Sequence, residues 1–171
     1  MFVEMKKQRL EFRFGEVTMW LRYDIQAFYN IEDSGFSPFD ILSQCRNSAA
    51  VRCFLKNGLA DWFISFGEYF DDERCVNSLM SAEGFQTELI GYIQAAIILA
   101  LPKAAIGNRR KNDDKENNIL GLMSMFVDVM GASREEFMSS TLREAVERWE
   151  RYATAMGYIK PAEQFSRFDD E

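Results

Sequence analysis

Three cysteines, Cys45, Cys53 and Cys75, come first among residues that could do chemistry, since a thiolate can serve as a nucleophile or a metal ligand. The chain contains no histidine. A mixed Cys/His zinc site is therefore closed off, and three thiolates alone do not complete a tetrahedral one. Ser-His-Asp and Cys-His relays fall with the same absence. Each cysteine sits among apolar residues at helical spacing, the setting of a buried, reduced thiol. Cys45 and Cys53 flank a helix boundary, a placement that would suit a redox pair, but a reducing compartment disfavours it. The acidic run Asp71-Asp72-Glu73 could face a divalent cation, yet nothing beside it has EF-hand spacing. Favourable negative charge at a helix N-terminus accounts for it better. Paired-carboxylate hydrolysis has no pair singled out. The glycines are scattered at helix ends and turns and form no phosphate loop. The expectation is a protein without catalytic residues, cofactor or metal.

Composition points the same way. Over 171 residues, hydrophobic side chains make up 47% and aromatics 14%, enough for one substantial core or one core with a helical appendage. The net charge of −7 repels phosphate and leaves no footprint for nucleic acid. The triplet Arg109-Arg110-Lys111 is offset by Asp113, Asp114 and Glu116, as in a solvated linker. The helices between Asn47 and Phe63 carry only Arg52 and Lys56 as bases, too few for a helix-turn-helix reader. Met1–Arg9 mixes charges with apolar residues and lacks the pattern of a secretory signal. The longest apolar run, Leu89–Leu101, is about thirteen residues against the roughly twenty that span a bilayer. Pro102 stops it. A soluble, cytoplasmic protein is expected.

The elements that must position any functional surface can be read from periodicity and caps. Leu10, Phe12 and Phe14 alternate with Glu11 and Arg13, Gly15-Glu16 matches a two-residue hairpin loop, and Val17–Leu21 is rich in strand formers. Asp24 is the N-cap of a helix that Gly35 ends, and Ser37-Pro38 restarts another. Asn47 or Ser48 caps a third helix, with Val51, Phe54, Leu55, Leu59, Trp62 and Phe63 on its buried side. Gly58 within it marks either a close helix crossing or a small loss of helix stability. Helices follow over Glu73–Ala82 and Thr87–Leu101. Lys103–Asn118 is polar and mixed in sign, and reads as a linker. Beyond it, Ile119–Met130 is an apolar helix stopped by Gly131. Ser133–Glu136 and Thr141–Glu144 are capping boxes. The second opens a helix with Leu142, Ala145, Val146, Trp149, Tyr152 or Ala153, and Met156 on one face.

The expected fold is thus mainly α: a short N-terminal β-hairpin packed on a compact helical bundle, plus a C-terminal helical lobe after a polar linker. The corresponding division is 1–102 for the hairpin and bundle, 103–118 for the linker, 119–160 for the lobe and 161–171 for the tail. Met123, Met125, Met130, Met138 and Met156 cluster in the C-terminal third. Methionine fills cores, and it also suits surfaces that repack against partners. Both uses are open for this lobe. The residues expected to touch other chains are Phe12, Phe14, Val17 and Met19 in the hairpin, and Met123, Met125, Met138 and Trp149 in the lobe.

Several segments carry a family likeness. LEFRFGEVTMWLRYDIQAFYNIEDSGFSPFDIL, then AVRCFLKNGLADWF, resembles the N-terminal part of the tail assembly chaperones of long-tailed bacteriophages and prophages. The matching elements are the hairpin, Phe28–Glu32, Gly35-Phe36, Phe39–Leu42 and Leu55–Leu59. MGASREEFMSSTLREA, Met130–Ala145, is similar to the downstream part of such proteins. The resemblance implies a non-enzymatic chaperone that coats the tape-measure protein, keeps it soluble and recruits the major tail protein, the tail-tube subunit, in the host bacterial cytoplasm. The hairpin edge permits β-addition between subunits, so the N-terminal unit is expected to self-associate or to bind the tape measure, and the C-terminal lobe to capture the tail-tube subunit. The competing expectation is a small acidic helical adaptor or regulator that binds a single protein partner.

Overall fold

The computed structural model describes residues 8–64, 72–102 and 123–158. In chain order its elements are β1 (Leu10–Phe14), β2 (Val17–Leu21), α1 (Ile25–Asp33), α2 (Ile41–Gln44), α3 (Ser48–Gly58), β3 (Leu59–Ile64), α4 (Asp72–Ser81) and α5 (Gln86–Ala100). A π-helical turn (Met125–Val129), α6 (Arg134–Met138) and α7 (Leu142–Ala155) follow. The protein is mainly α-helical, with a three-stranded antiparallel sheet in the order β1-β2-β3.

The hairpin forms where its alternation places it. Gly15 turns the chain at φ 59°, a left-handed conformation that costs glycine little because it has no Cβ. The register sets Phe12 opposite Met19 and Phe14 opposite Val17. Phe12, Met19 and Leu21 therefore share one face, and Glu11 and Arg13 the other. The apolar face lies on α5, where Phe12 stacks on Tyr92 and Phe14 meets Phe85, each pair with ring centroids 5.1 Å apart. Phe12, Met19 and Leu21 are buried. Each contributes about 1.5–3 kcal/mol, which holds in place a hairpin that would be marginal alone in water.

The third strand departs from the sequence reading. Periodicity predicts one helix through Phe63, but α3 ends at Gly58 and the chain continues as β3 along the second edge of β2. The reason is tertiary. Gly58 lies against Tyr23 so closely that a Cβ there would sit 2.5 Å from Tyr23 Cζ. The Arg22 N–H donates to the Gly58 carbonyl at 2.8 Å, closing the crossover from helix to sheet. Leaving β2 unpaired on that side would expose a row of backbone groups, which β3 satisfies. The close approach at Gly58 is thus made by a ring from the β2–α1 connection and not by a second helix, as a helix crossing would require.

Caps elsewhere follow local chemistry, with one shift. The Asp24 carboxylate accepts from Ala27 N at 2.8 Å, and Asn47 Oδ1 accepts from Ala49 N at 3.0 Å. Ser37-Pro38 does not start a helix: α2 begins a turn later, capped by Asp40, whose carboxylate accepts from Ser43 N at 3.2 Å. Ser37 is instead clamped by Gln44, which accepts from its N–H and donates to its carbonyl, both at 3.0 Å. The expected linker lies outside the described residues, as do 119–122 of the apolar helix that follows it. The described end of that helix is a π turn, in which Met130 N donates to Met125 O at 3.1 Å. The tail after 158 also lies outside the described residues.

One apolar cluster runs through the described elements. It joins Phe12, Phe28, Phe54, Leu79 and Ile93 with Phe126, Phe137, Leu142 and Ala145 from the C-terminal helices. Among the described residues, no helix is long and apolar enough to cross a membrane.

Candidate protein-contact surface

The C-terminal helices reach the rest of the fold through helix ends that satisfy one another. The first N–H groups and last carbonyls of any helix lack intrahelical partners. Ile25 N, at the start of α1, donates to Ser140 O at 2.9 Å. At the end of α5, the Leu101 and Ile98 carbonyls accept from Arg143 Nε at 2.8 Å and Arg143 Nη2 at 3.2 Å.

Arg22 and Glu144 form an ion pair of which Arg22 is the buried partner. Arg22, just after β2, is only 6% exposed. Its Nη2 donates to Glu144 Oε2 at 2.8 Å and to Ser139 O at 2.9 Å, and its Nη1 to Glu144 Oε1 at 3.3 Å. The same Glu144 completes the expected capping box of α7. Thr141 N donates to Glu144 Oε2 at 2.8 Å, and Glu144 N donates to Thr141 Oγ1 at 3.1 Å. The Ser133 box is made on one side: Ser133 Oγ accepts from Glu136 N at 3.0 Å, while the Glu136 carboxylate pairs with Arg148. Arg148 also lies over the ring of Phe126, 5.1 Å from its centroid.

The exposed large apolar side chains of the described residues include Tyr29, Leu42 and Ile98 on other helices, and four more lie in the C-terminal part. Met125 is 41% exposed, Val129 46%, Met156 53% and Tyr158 60%. Half-buried Tyr152 links Val129 to Tyr158. Its hydroxyl donates to Val129 O at 3.2 Å, and its ring meets those of Trp149 at 5.9 Å and Tyr158 at 6.4 Å. The π turn presents Met125 and Val129 together while Phe126 stays fully buried against Phe137. Such turns are frequent at functional sites.

The residues expected to touch other chains divide sharply. Met125 stands on this surface, and half-buried Trp149 borders it. Met123 and Met138 are half-buried and pack against the core. Phe12 and Met19 are core residues of the hairpin, and Phe14 and Val17 pack on the same core half-buried. Residue type and spacing do not single out the other four members of the surface, Val129, Tyr152, Met156 and Tyr158, as contact residues. Met156, expected on the buried face of the last helix, sits at its C-cap and is exposed, because α7 ends at Ala155. Of the pair Tyr152 and Ala153, it is Ala153 that is buried. The signal that could have found the two tyrosines is the aromatic spacing Trp149, Tyr152, Tyr158, and Val129 carries none.

Of the three thiols expected to be buried, only Cys75 is. Cys75 is fully buried, and Cys45 and Cys53 are half-buried free thiols. Glu73 pairs with Arg52 at 3.5 Å and with Lys56, tying α4 to α3. Tyr23 is fully buried and its hydroxyl donates to Phe54 O at 2.9 Å. Burial, and secondarily the nearby Cys53, push its pKa well above the ordinary 10.0. The folded state thus holds the Tyr23 proton more tightly than the unfolded chain. Stability from this source is intact below about pH 10 and declines as pH rises above it. Tyr23→Phe is expected to flatten that decline in denaturation curves taken between about pH 9 and 11. An unchanged alkaline slope would contradict the assignment.

Among the described residues, no group of three or more Cys, Asp or Glu side chains is placed to hold a metal ion. Glu147, Glu150, Arg151, Thr154 and Ala155 line a shallow, open depression on α7, which lacks the walls to enclose a small molecule. Comparison with protein-family models, with curated proteins and with solved structures yields no match.

Proposed function

We propose that this chain is a non-enzymatic assembly chaperone of the phage-tail type. In this reading it works in the host bacterial cytoplasm, binds the long helical tape-measure protein and recruits tail-tube subunits during tail morphogenesis. The observation that carries the reading is the exposure of Met125, Val129, Met156 and Tyr158 around half-buried Tyr152. Large apolar side chains gathered at one place on a protein surface mark sites that other chains cover, and flexible methionines let such a site accept more than one shape. The acidic balance of the chain, −7, would keep a complex with an apolar client in solution.

The test is co-expression with tape-measure fragments and with the tail-tube subunit of the same genome, followed by pull-down. Val129→Asp and Met156→Asp place a charge in the surface without touching the core. Each is expected to weaken client capture about tenfold or more, since an unpaired charge in an apolar contact costs well over 1.4 kcal/mol. The melting temperature should stay within the narrow range of ordinary surface changes. Capture that survives both substitutions, or no capture of either client by the unaltered protein, would defeat the proposal.

A small acidic adaptor or regulator with a single partner is the second reading. The seam through Arg22, Arg143 and Glu144 favours it, because helices held at several points present one fixed face. The two readings separate in the same experiment: the chaperone engages two clients, the adaptor one.

A further inference from the structure

We propose that β1 is a self-complementary edge, through which two copies of this chain pair antiparallel about a two-fold axis at Phe12 and join their sheets. β1 is an outer strand, and among the described residues no backbone hydrogen bond runs from Leu10–Phe14 to any element but β2. The strand carries no proline, lysine or bulge of the kind that blunts an edge.

Its geometry restricts how a partner strand could join. A two-residue turn makes Phe14 and Val17 a hydrogen-bonded pair. Bonded and non-bonded pairs alternate along an antiparallel ladder, so the backbone groups of Leu10, Phe12 and Phe14 face β2. Those of Glu11 and Arg13 point outward. A symmetric antiparallel partner must bond to these two residues, which leaves three registers. Glu11 can face Glu11, Arg13 can face Arg13, or Glu11 can face Arg13. The first two oppose like charges across the strands, which is destabilising. The third makes two opposite-charge pairs and four backbone hydrogen bonds, with Phe12 on the axis.

The side chains fit that register on both faces. Glu11 and Arg13 are exposed on the face turned away from the helices, where Trp20 Nε1 steadies the Glu11 carboxylate at 3.2 Å. On the other face, half-buried Leu10 of one copy comes opposite half-buried Phe14 of the other, extending the apolar layer across the join. A second copy is therefore the occupant whose charges match this edge. The inference is independent of the client reading, which uses the π turn and α7.

The experiment is light scattering after size exclusion, on the full chain over a wide concentration range. The unaltered protein is expected to pass from monomer to dimer as concentration rises. Glu11→Arg alone and Arg13→Glu alone each convert both charge pairs to like-charge pairs, and each is expected to weaken the dimer about tenfold or more. An equimolar mixture of these two variants is expected to dimerise as well as the unaltered chain, because every cross-strand pair in the mixed dimer is again opposite in charge. The exchanged variant, Glu11→Arg with Arg13→Glu in one chain, should likewise regain its own dimer, which covers the case of a single variant that folds poorly. An unaltered protein that remains monomeric to about 1 mM overturns the proposal. So does a mixture that associates no better than either variant alone.

Discussion

Glu144→Ala is expected to lower the stability of the fold by about 3 kcal/mol, the lower end of the range for removing one partner of a buried ion pair, because Glu144 is itself 26% exposed. The magnitude comes from what is left behind. The side chain of Arg22 is 5% exposed against the 26% of its partner, so its charge recovers little hydration when the carboxylate goes. The substitution also removes the acceptor for Thr141 N, one half of the capping box of α7. Arg22→Met should cost less, because it removes the buried charge along with its partner's contact and leaves the more exposed Glu144 to be solvated. Chemical denaturation of both variants and of the double variant would give the coupling between them. The same change should loosen the seam locally. The amide of Ile25 bonds to Ser140 across it at 2.9 Å, so its hydrogen exchange should speed up in Glu144→Ala. A loss under about 1 kcal/mol with Ile25 still protected would show that the ion pair is not what holds the C-terminal helices.

The second large effect is expected at Gly58. Alanine in place of glycine within a helix ordinarily gains up to about 1 kcal/mol. Here the added methyl carbon would lie 2.5 Å from Tyr23 Cζ, 2.6 Å from its hydroxyl oxygen and 2.8 Å from Cε1. The ring cannot swing aside: it is fully buried, packed on Phe28 and Phe54, and tethered to the Phe54 carbonyl. Overpacking of this kind costs about 1–3 kcal/mol and sometimes more. The upper end is expected, because the clash is with a rigid ring at the point where α3 becomes β3. Steric cost therefore outweighs helix propensity. Urea denaturation of Gly58→Ala checks this, and Tyr23→Leu in the same chain should recover part of the loss by vacating the space. A Gly58→Ala protein as stable as the parent would mean that the helix and the ring are not in contact in solution.

These two sites also show how far the residues alone could be read. The Thr141–Glu144 box was recognisable from four consecutive positions, because capping is satisfied within one turn. The second role of Glu144 was not, since Arg22 lies 122 positions away and any of the many acids could have met it. Gly58 was visible as an anomaly inside an apolar periodicity, but the ring that demands it belongs to another part of the chain. Met125, expected at a contact by its type, is exposed, and Trp149 is half-buried. Phe12 and Met19 could not be told from surface residues, because an alternating strand shows which side chains share a face and not what covers that face.

Local signals settled the mainly helical class, the hairpin with its glycine turn, and the stops at Gly35 and Gly131, both with positive φ. Each of these depends on interactions within a few residues, which the order of side chains states directly. The three-dimensional arrangement alone decided that Leu59–Ile64 is a strand, that helix ends from distant parts of the chain cap one another, and that Met125, Val129, Met156 and Tyr158 remain outside the core. Strand pairing and burial are satisfied by partners far along the chain, so no window of neighbouring residues contains them.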